Sequence, residues 1–81
     1  MEIAFVLVKS KMGHEMEVLN ALLKIEGVKE VMGTYGQYDI FAKVQVPTED
    51  QIEKIITKKI RQIPHVVSTT TLPVIPGQGE K

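Results

Sequence analysis

The sequence predicts a single α+β domain whose elements run β-α-β-β-α-β. Three observations carry this prediction. A chain of 81 residues has room for one domain. Apolar residues alternate between strand-like and helix-like spacing along it. Glycine, proline and capping residues fall where the spacing changes.

The first strand runs from Ile3 to Val8, where Ile-Ala-Phe-Val-Leu-Val is short, rich in strand formers and continuously apolar. An unbroken apolar run, unlike an alternating one, belongs to a strand covered on both faces. Lys9 to Gly13 interrupts it. From His14 to Ile25 the apolar residues Val18, Leu19, Leu22, Leu23 and Ile25 share one side of a helix, with Glu15, Glu17, Asn20 and Lys24 opposite. Gly27 stands where a left-handed C-terminal cap is expected. Period two returns from Val28 to Thr34, with Val31 and Gly33 on one face and Val28, Glu30 and Met32 on the other. Gly33 to Asp39 reads as a hairpin tip, its two glycines free to take positive φ. In the strand from Asp39 to Val46, Ile40, Ala42, Val44 and Val46 share one face, and Asp39, Phe41, Lys43 and Gln45 the other. Pro47 ends it.

Thr48-Glu49-Asp50-Gln51 is a capping box that opens a second helix. Ile52, Ile55, Ile56, Ile60 and Ile63 recur down one side of it. Glu49 and Asp50 near its start, and Lys58, Lys59 and Arg61 near its end, complement the helix dipole. Pro64 closes it, and His65 to Leu72, rich in valine and threonine, is the last strand. The domain therefore spans residues 1–73, and residues 74–81 form a C-terminal tail.

Each half is a β-α-β crossover of right-handed sense. Two of them joined by a hairpin give a ferredoxin-like sandwich: a four-stranded antiparallel sheet, first and third strands central, both helices on one face. The other face is bare in a single copy. The first strand turns either Ile3, Phe5 and Leu7 or Ala4, Val6 and Val8 toward it. Phe5, Leu7 and Phe41 are the residues expected at a dimer interface there. Burying three or four such side chains is worth about 1.5–3 kcal/mol each, and a twofold dimer with sheets face to face does so economically. A helix from another partner is the alternative cover.

Composition narrows the function classes. Ten basic and ten acidic residues give a formal net charge of +0, which disfavours direct nucleic-acid binding. The longest apolar run, Ile3 to Val8, is far short of the ~20 residues of a membrane span and lacks the flanks of a signal peptide. Cysteine is absent, so disulfides and thiolate metal sites are removed together, and a reducing, cytoplasmic compartment is expected. Two histidines far apart in sequence are a poor start for a metal site, and no cofactor is expected. Small domains without such staples depend on oligomerisation.

No motif marks an enzyme: there is no nucleophile elbow and no glycine-rich loop ending in Gly-Lys-Ser or Gly-Lys-Thr. His14 and His65 fit solvated or capping roles better than a general base. Asp39 suits either a structural role, accepting from backbone amides near the turn, or a ligand-binding one. The Thr69-Thr70-Thr71 run fits β propensity or a polar pocket lining.

Gly27-Val28 leading to Val31, followed by Gly33-Thr34-Tyr35-Gly36-Gln37-Tyr38-Asp39-Ile40, resembles the hairpin of the effector (RAM) domain of leucine-responsive, Lrp/AsnC-type feast/famine transcription regulators. Gly36, Tyr38 and Asp39 match the Gly-x-Tyr-Asp turn of that family. Ile63-Pro64-His65-Val66 and Ser68-Thr69-Thr70-Thr71-Leu72 resemble its final strand, so the likeness covers about Ile3 to Leu72. The chain begins on the first effector strand, where full-length family members carry a helix-turn-helix domain; the resemblance therefore implies a stand-alone effector module that does not bind DNA itself. It further implies a homodimer through the sheets and a ring of dimers that binds amino acids or similar small ligands between dimers. Carried onto this chain, Gly36 and Tyr38 present backbone to the ligand and Asp39 meets its ammonium. Thr69 and Thr71, or Thr70 in a shifted register, offer hydroxyls. The expected function is amino-acid sensing that modulates transcription regulators, with hetero-assembly with full-length Lrp/AsnC-type members as a route. The alternatives are a structural adaptor with no ligand role, or a small cofactor-independent enzyme with a cavity between sheet and helices.

Overall fold

The computed structural model describes residues 1–79. β1 (Glu2–Ser10) is followed by α1 (Glu15–Leu23), β2 (Val28–Gly33), β3 (Ile40–Val46), α2 (Glu49–Lys54) and β4 (Val66–Pro73). The expected order is the observed one. The sheet is ordered β2-β3-β1-β4 with every neighbouring pair antiparallel. β1 and β2 thus run parallel with β3 between them, and β3 and β4 run parallel with β1 between them. Each crossover is split by a strand of the other half, as in a ferredoxin-like fold.

The two faces of β1 have separate fates. Ala4, Val6 and Val8 are fully buried against the helices, together with Ile40, Ala42 and Val44 of β3, Val18 and Leu22 of α1, and Ile60. Ile52 and Ile56 close the same layer. Ile3, Phe5 and Leu7 face the other way and stay partly exposed, as does Phe41. The alternative left open by alternation is therefore resolved in favour of Phe5, Leu7 and Phe41 on the open side, where the two phenyl rings stack with centroids 5.3 Å apart.

Three local features differ from the expected pattern. In β2, Val28 pairs with Val44 and Glu30 with Lys43, so Lys29 is an extra residue and forms a bulge. The bulge shifts the alternation, and Val28 and Val31 both pack on the core, where strict period two separates them. α1 ends at Leu23, short of Ile25, and its last turn tightens through bonds from Lys24 N to Ala21 O (3.2 Å) and Ile25 N to Leu22 O (3.1 Å). Gly27 does have φ +98°, but in the turn into β2, where a Cβ would lie 2.8 Å from both Ile55 Cδ1 and Val46 Cγ1. Leu23, assigned to the apolar side, is 56% exposed.

Thr48 caps α2, its Oγ1 accepting from Gln51 N at 3.3 Å. The helix then widens into a π-helical stretch, Ile55–Ile60, closed by Arg61 N donating to Ile56 O at 2.9 Å. The isoleucine stripe survives the widening because Ile52, Ile56 and Ile60, four residues apart, stay on the buried side. Past β4, Val74 N still donates to Ile3 O at 2.9 Å, and Gln78 N to Ile75 O at 3.3 Å. The first residues of the expected tail thus extend the sheet edge; Glu80 and Lys81 lie outside the described residues.

Candidate functional site

The hairpin between β2 and β3 is held from inside. Thr34 donates from its backbone N to Asp39 O and from its Oγ1 to Tyr38 O, both at 2.8 Å. These bonds close the loop on itself, so Tyr35, Gly36 and Gln37 project into solvent without loosening its base. Gly36 has φ +103° with open space about it. The hairpin is also tied to the rest of the sheet. Asp39 N donates to Val8 O at 3.0 Å, and the Tyr38 and Thr70 hydroxyls share a 2.7 Å hydrogen bond.

Asp39 has a structural task. Its Oδ2 accepts from Ser10 N at 2.9 Å and from Ser10 Oγ at 3.4 Å. Ser10 is only 6% exposed, so this carboxylate satisfies a buried backbone donor where β1 ends. No hydrogen bond among the described residues goes to Oδ1, which lies at the half-buried margin of the hairpin.

The sheet register separates the three threonines. Leu7 pairs with Thr70, while Val6 pairs with Thr71 and Val8 with Thr69. Thr70 therefore shares the open face with Leu7 and meets Tyr38. Thr69 and Thr71 turn to the helix side, where Arg61 Nε donates to Thr69 Oγ1 at 3.2 Å. Thr71 lines a groove of about 360 Å³ beside Ile52, Ile56 and Arg61. Gly36, Tyr38, Asp39 and Thr70 thus gather at one end of the sheet, whereas Thr69 and Thr71 lie across it. Of the three threonines it is Thr70, and neither Thr69 nor Thr71, that shares the sheet face of Tyr38.

Beside the hairpin, Leu7, Met32, Tyr35, Tyr38 and Phe41 line an open cleft of about 340 Å³. It is predominantly apolar, with the Tyr38 and Thr34 polar groups at its rim, which suits a small amphiphilic molecule once a second surface covers it. The centre of the layer between sheet and helices is filled by Leu22, Ile40, Ile60, Val6, Val8, Val18 and Val44, and the space on that side lies at its margin, in the groove beside Ile52, Ile56 and Thr71. His14 and His65 lie outside that layer with about a third of each side chain exposed. Sequence separation hid their relation: the fold stacks the two rings at 3.7 Å.

The sequence profile of the Lrp/AsnC ligand binding domain matches residues 3–76. The HTH-type transcriptional regulator FL11 of Pyrococcus abyssi is 34% identical over 78 residues, 96% of this chain and 51% of FL11. The chain thus spans about half the length of that curated relative. A homocitrate synthase of Sulfolobus acidocaldarius is 38% identical over 58 residues, 72% of this chain and 12% of the enzyme. Among solved structures, FFRP-DM1 superposes with a TM-score of 0.88 at 39% identity, covering 93% of this chain and 100% of that one. AsnC of Escherichia coli superposes with a TM-score of 0.89 at 27% identity, covering 99% of this chain and 54% of AsnC.

Proposed function

Because the chain belongs to the Lrp/AsnC ligand-binding domain family, we propose that it senses an amino acid where copies of the domain meet and thereby tunes the assembly of transcription regulators. In this reading it pairs through the open sheet face as a homodimer, gathers into a ring of dimers, works in the cytoplasm and leaves DNA contact to other domains. The supporting observation is the hairpin tip, pinned by Thr34 and by the Tyr38–Thr70 bond, at the mouth of the open cleft. A pinned tip loses little entropy on binding, which favours affinity. Gly36 and Tyr38 would offer backbone groups, Asp39 Oδ1 would meet the ammonium, and the Thr70 hydroxyl would complete the polar rim. Thr69 and Thr71 have no part in it.

A ligand held between subunits stabilises whichever oligomer forms its pocket. The test is a thermal-shift screen against the twenty amino acids, paired with sedimentation velocity. A concentration-dependent rise in Tm for one or a few of them, with a change in sedimentation coefficient, is the expected result. No rise and no change in assembly with any amino acid refutes the sensing role.

One observation favours a second reading, the structural adaptor. Asp39 already spends one carboxylate oxygen on Ser10, and a residue needed for the fold explains its own presence. The adaptor reading expects mixing with full-length regulators regardless of any amino acid, measurable by co-purification with and without the screen's best ligand.

A further inference from the structure

We propose that His14, Glu17 and His65 form a three-ligand site for a divalent d-block cation of the zinc class. Their donor atoms all lie within 4.8 Å of one another. Glu17 Oε2 is 3.3 Å from His14 Nδ1 and 3.8 Å from His65 Nε2. Nitrogen and oxygen ligands at zinc distances of about 2.0–2.2 Å stand roughly 3.3–3.5 Å apart in a tetrahedron. The first separation already meets that requirement and the second exceeds it by a few tenths of an ångström; to bind one ion the two rings, now stacked with planes 17° apart, must also turn about their side-chain bonds until both nitrogen lone pairs point at it.

Three further features point to a ligand. His14 Nδ1 is buried and has no hydrogen-bond partner; Glu17 is close to it but not aligned to bond. A buried, unpaired ring nitrogen is uncommon, and a metal would complete it. His65 has φ +75° and is the only non-glycine residue with positive φ among the described residues. Glycine would take that conformation without strain, yet the position carries an imidazole and holds it flat against His14, ring centroids 3.7 Å apart and planes 17° apart. Strain retained at one residue is a pointer to function.

The backbone around the cluster is fixed before any ion arrives. Lys11 N donates to His65 O at 2.8 Å, His14 N to Lys11 O at 3.0 Å, and Val18 N to His14 O at 3.1 Å. The β1–α1 turn and the turn before β4 are therefore already joined, and the ion would act as a clip across them. Two imidazoles and one carboxylate favour Zn²⁺, Co²⁺ or Ni²⁺ over Mg²⁺ or Ca²⁺, which take all-oxygen sets. Three protein ligands leave a fourth position for water, and the one-third exposure of both histidines gives the ion a way in.

The test uses the full chain without an affinity tag, stripped of metal. Titration with Co²⁺ is expected to produce the visible d–d bands of a low-coordinate site, saturating at one ion per chain. Free Zn²⁺ at about 100 times its dissociation constant is expected to raise Tm by on the order of 10 °C. His65→Gly, which suits the backbone at that position, and His14→Gln should each weaken binding at least about tenfold, the usual cost of losing part of a coordination shell. Their far-UV circular dichroism should match that of the parent. Absence of d–d bands and of any Tm rise up to millimolar metal overturns the proposal. Equal affinity in the parent and both variants overturns it too, because the ion then sits elsewhere.

Discussion

Replacing Phe41 by alanine probes the open face directly. Its ring stacks on Phe5 at 5.3 Å and 28°, and both rings are partly exposed in one copy. Full burial of a phenylalanine is worth about 1.5–3 kcal/mol. About two-thirds of that is already gained within the single copy, leaving roughly 0.5–1 kcal/mol for a partner to supply. In a twofold interface the substitution occurs on both sides, so the dimer loses about 1–2 kcal/mol. At 1.4 kcal/mol per decade, its dissociation constant rises roughly 5- to 30-fold. Sedimentation velocity over a dilution series of parent and Phe41→Ala measures this, and Met12→Ala, at a 90% exposed residue in the β1–α1 turn, serves as the control. A parent that stays monomeric at tens of micromolar refutes the reasoning. So does a dissociation constant for folded Phe41→Ala within about threefold of the parent's.

Two further predictions concern the fold and the hairpin. Gly27→Ala forces an L-residue to φ +98° and brings a methyl within 2.8 Å of Ile55 and Val46; overpacking and backbone strain together cost about 2–4 kcal/mol. A thermal melt should show a Tm lower by roughly 8 °C or more, and a shift under about 3 °C contradicts the packing described. Asp39→Ala leaves the buried Ser10 N–H without its acceptor, at a cost of about 1–3 kcal/mol. Asp39→Asn, which keeps an acceptor oxygen, should recover most of that in a denaturant melt. Equal stability of the alanine variant and the parent removes the structural role assigned to the carboxylate.

Much of the fold was legible because its signals are local. The capping box at Thr48, the isoleucine stripe of α2, the alternation of β3 and the glycine-rich tip each depend on neighbours within a turn. The bulge at Lys29 was not legible: nothing in Val28-Lys29-Glu30 sets it apart from a regular strand, and the core alone rewards bringing both Val28 and Val31 inward. The π-helical widening after Lys54 is likewise imposed by packing, since the isoleucine spacing also suits an α-helix. Of the candidate site, the Gly36–Asp39 turn was visible as a motif. That Thr70, and not its neighbours, shares the face of Tyr38 needed the β1–β4 register, to which Thr69-Thr70-Thr71 is blind. The stacking of His14 on His65 is a contact between segments at opposite ends of the chain and leaves no mark in either one.

The irregularities of the two outer strands limit how copies of this chain can add to one another. On β2 the extra residue is Lys29; on β4 it is Val67, since Lys9 pairs with Ser68 and Ser10 with Val66. β4 also ends at Pro73, which has no N–H to offer. Bulges and proline are the means by which sheets resist edge-to-edge growth, so neither rim presents a straight, fully open ladder to an incoming strand. Lateral zippering into a continuous ribbon is discouraged on both sides, while the apolar face stays available for stacking. Growth in the plane of the sheet is blunted and growth perpendicular to it is capped at two layers, because each copy has its helices on the far side. The irregular rims thus leave the apolar face, and not the edges, as the surface on which a second copy would add.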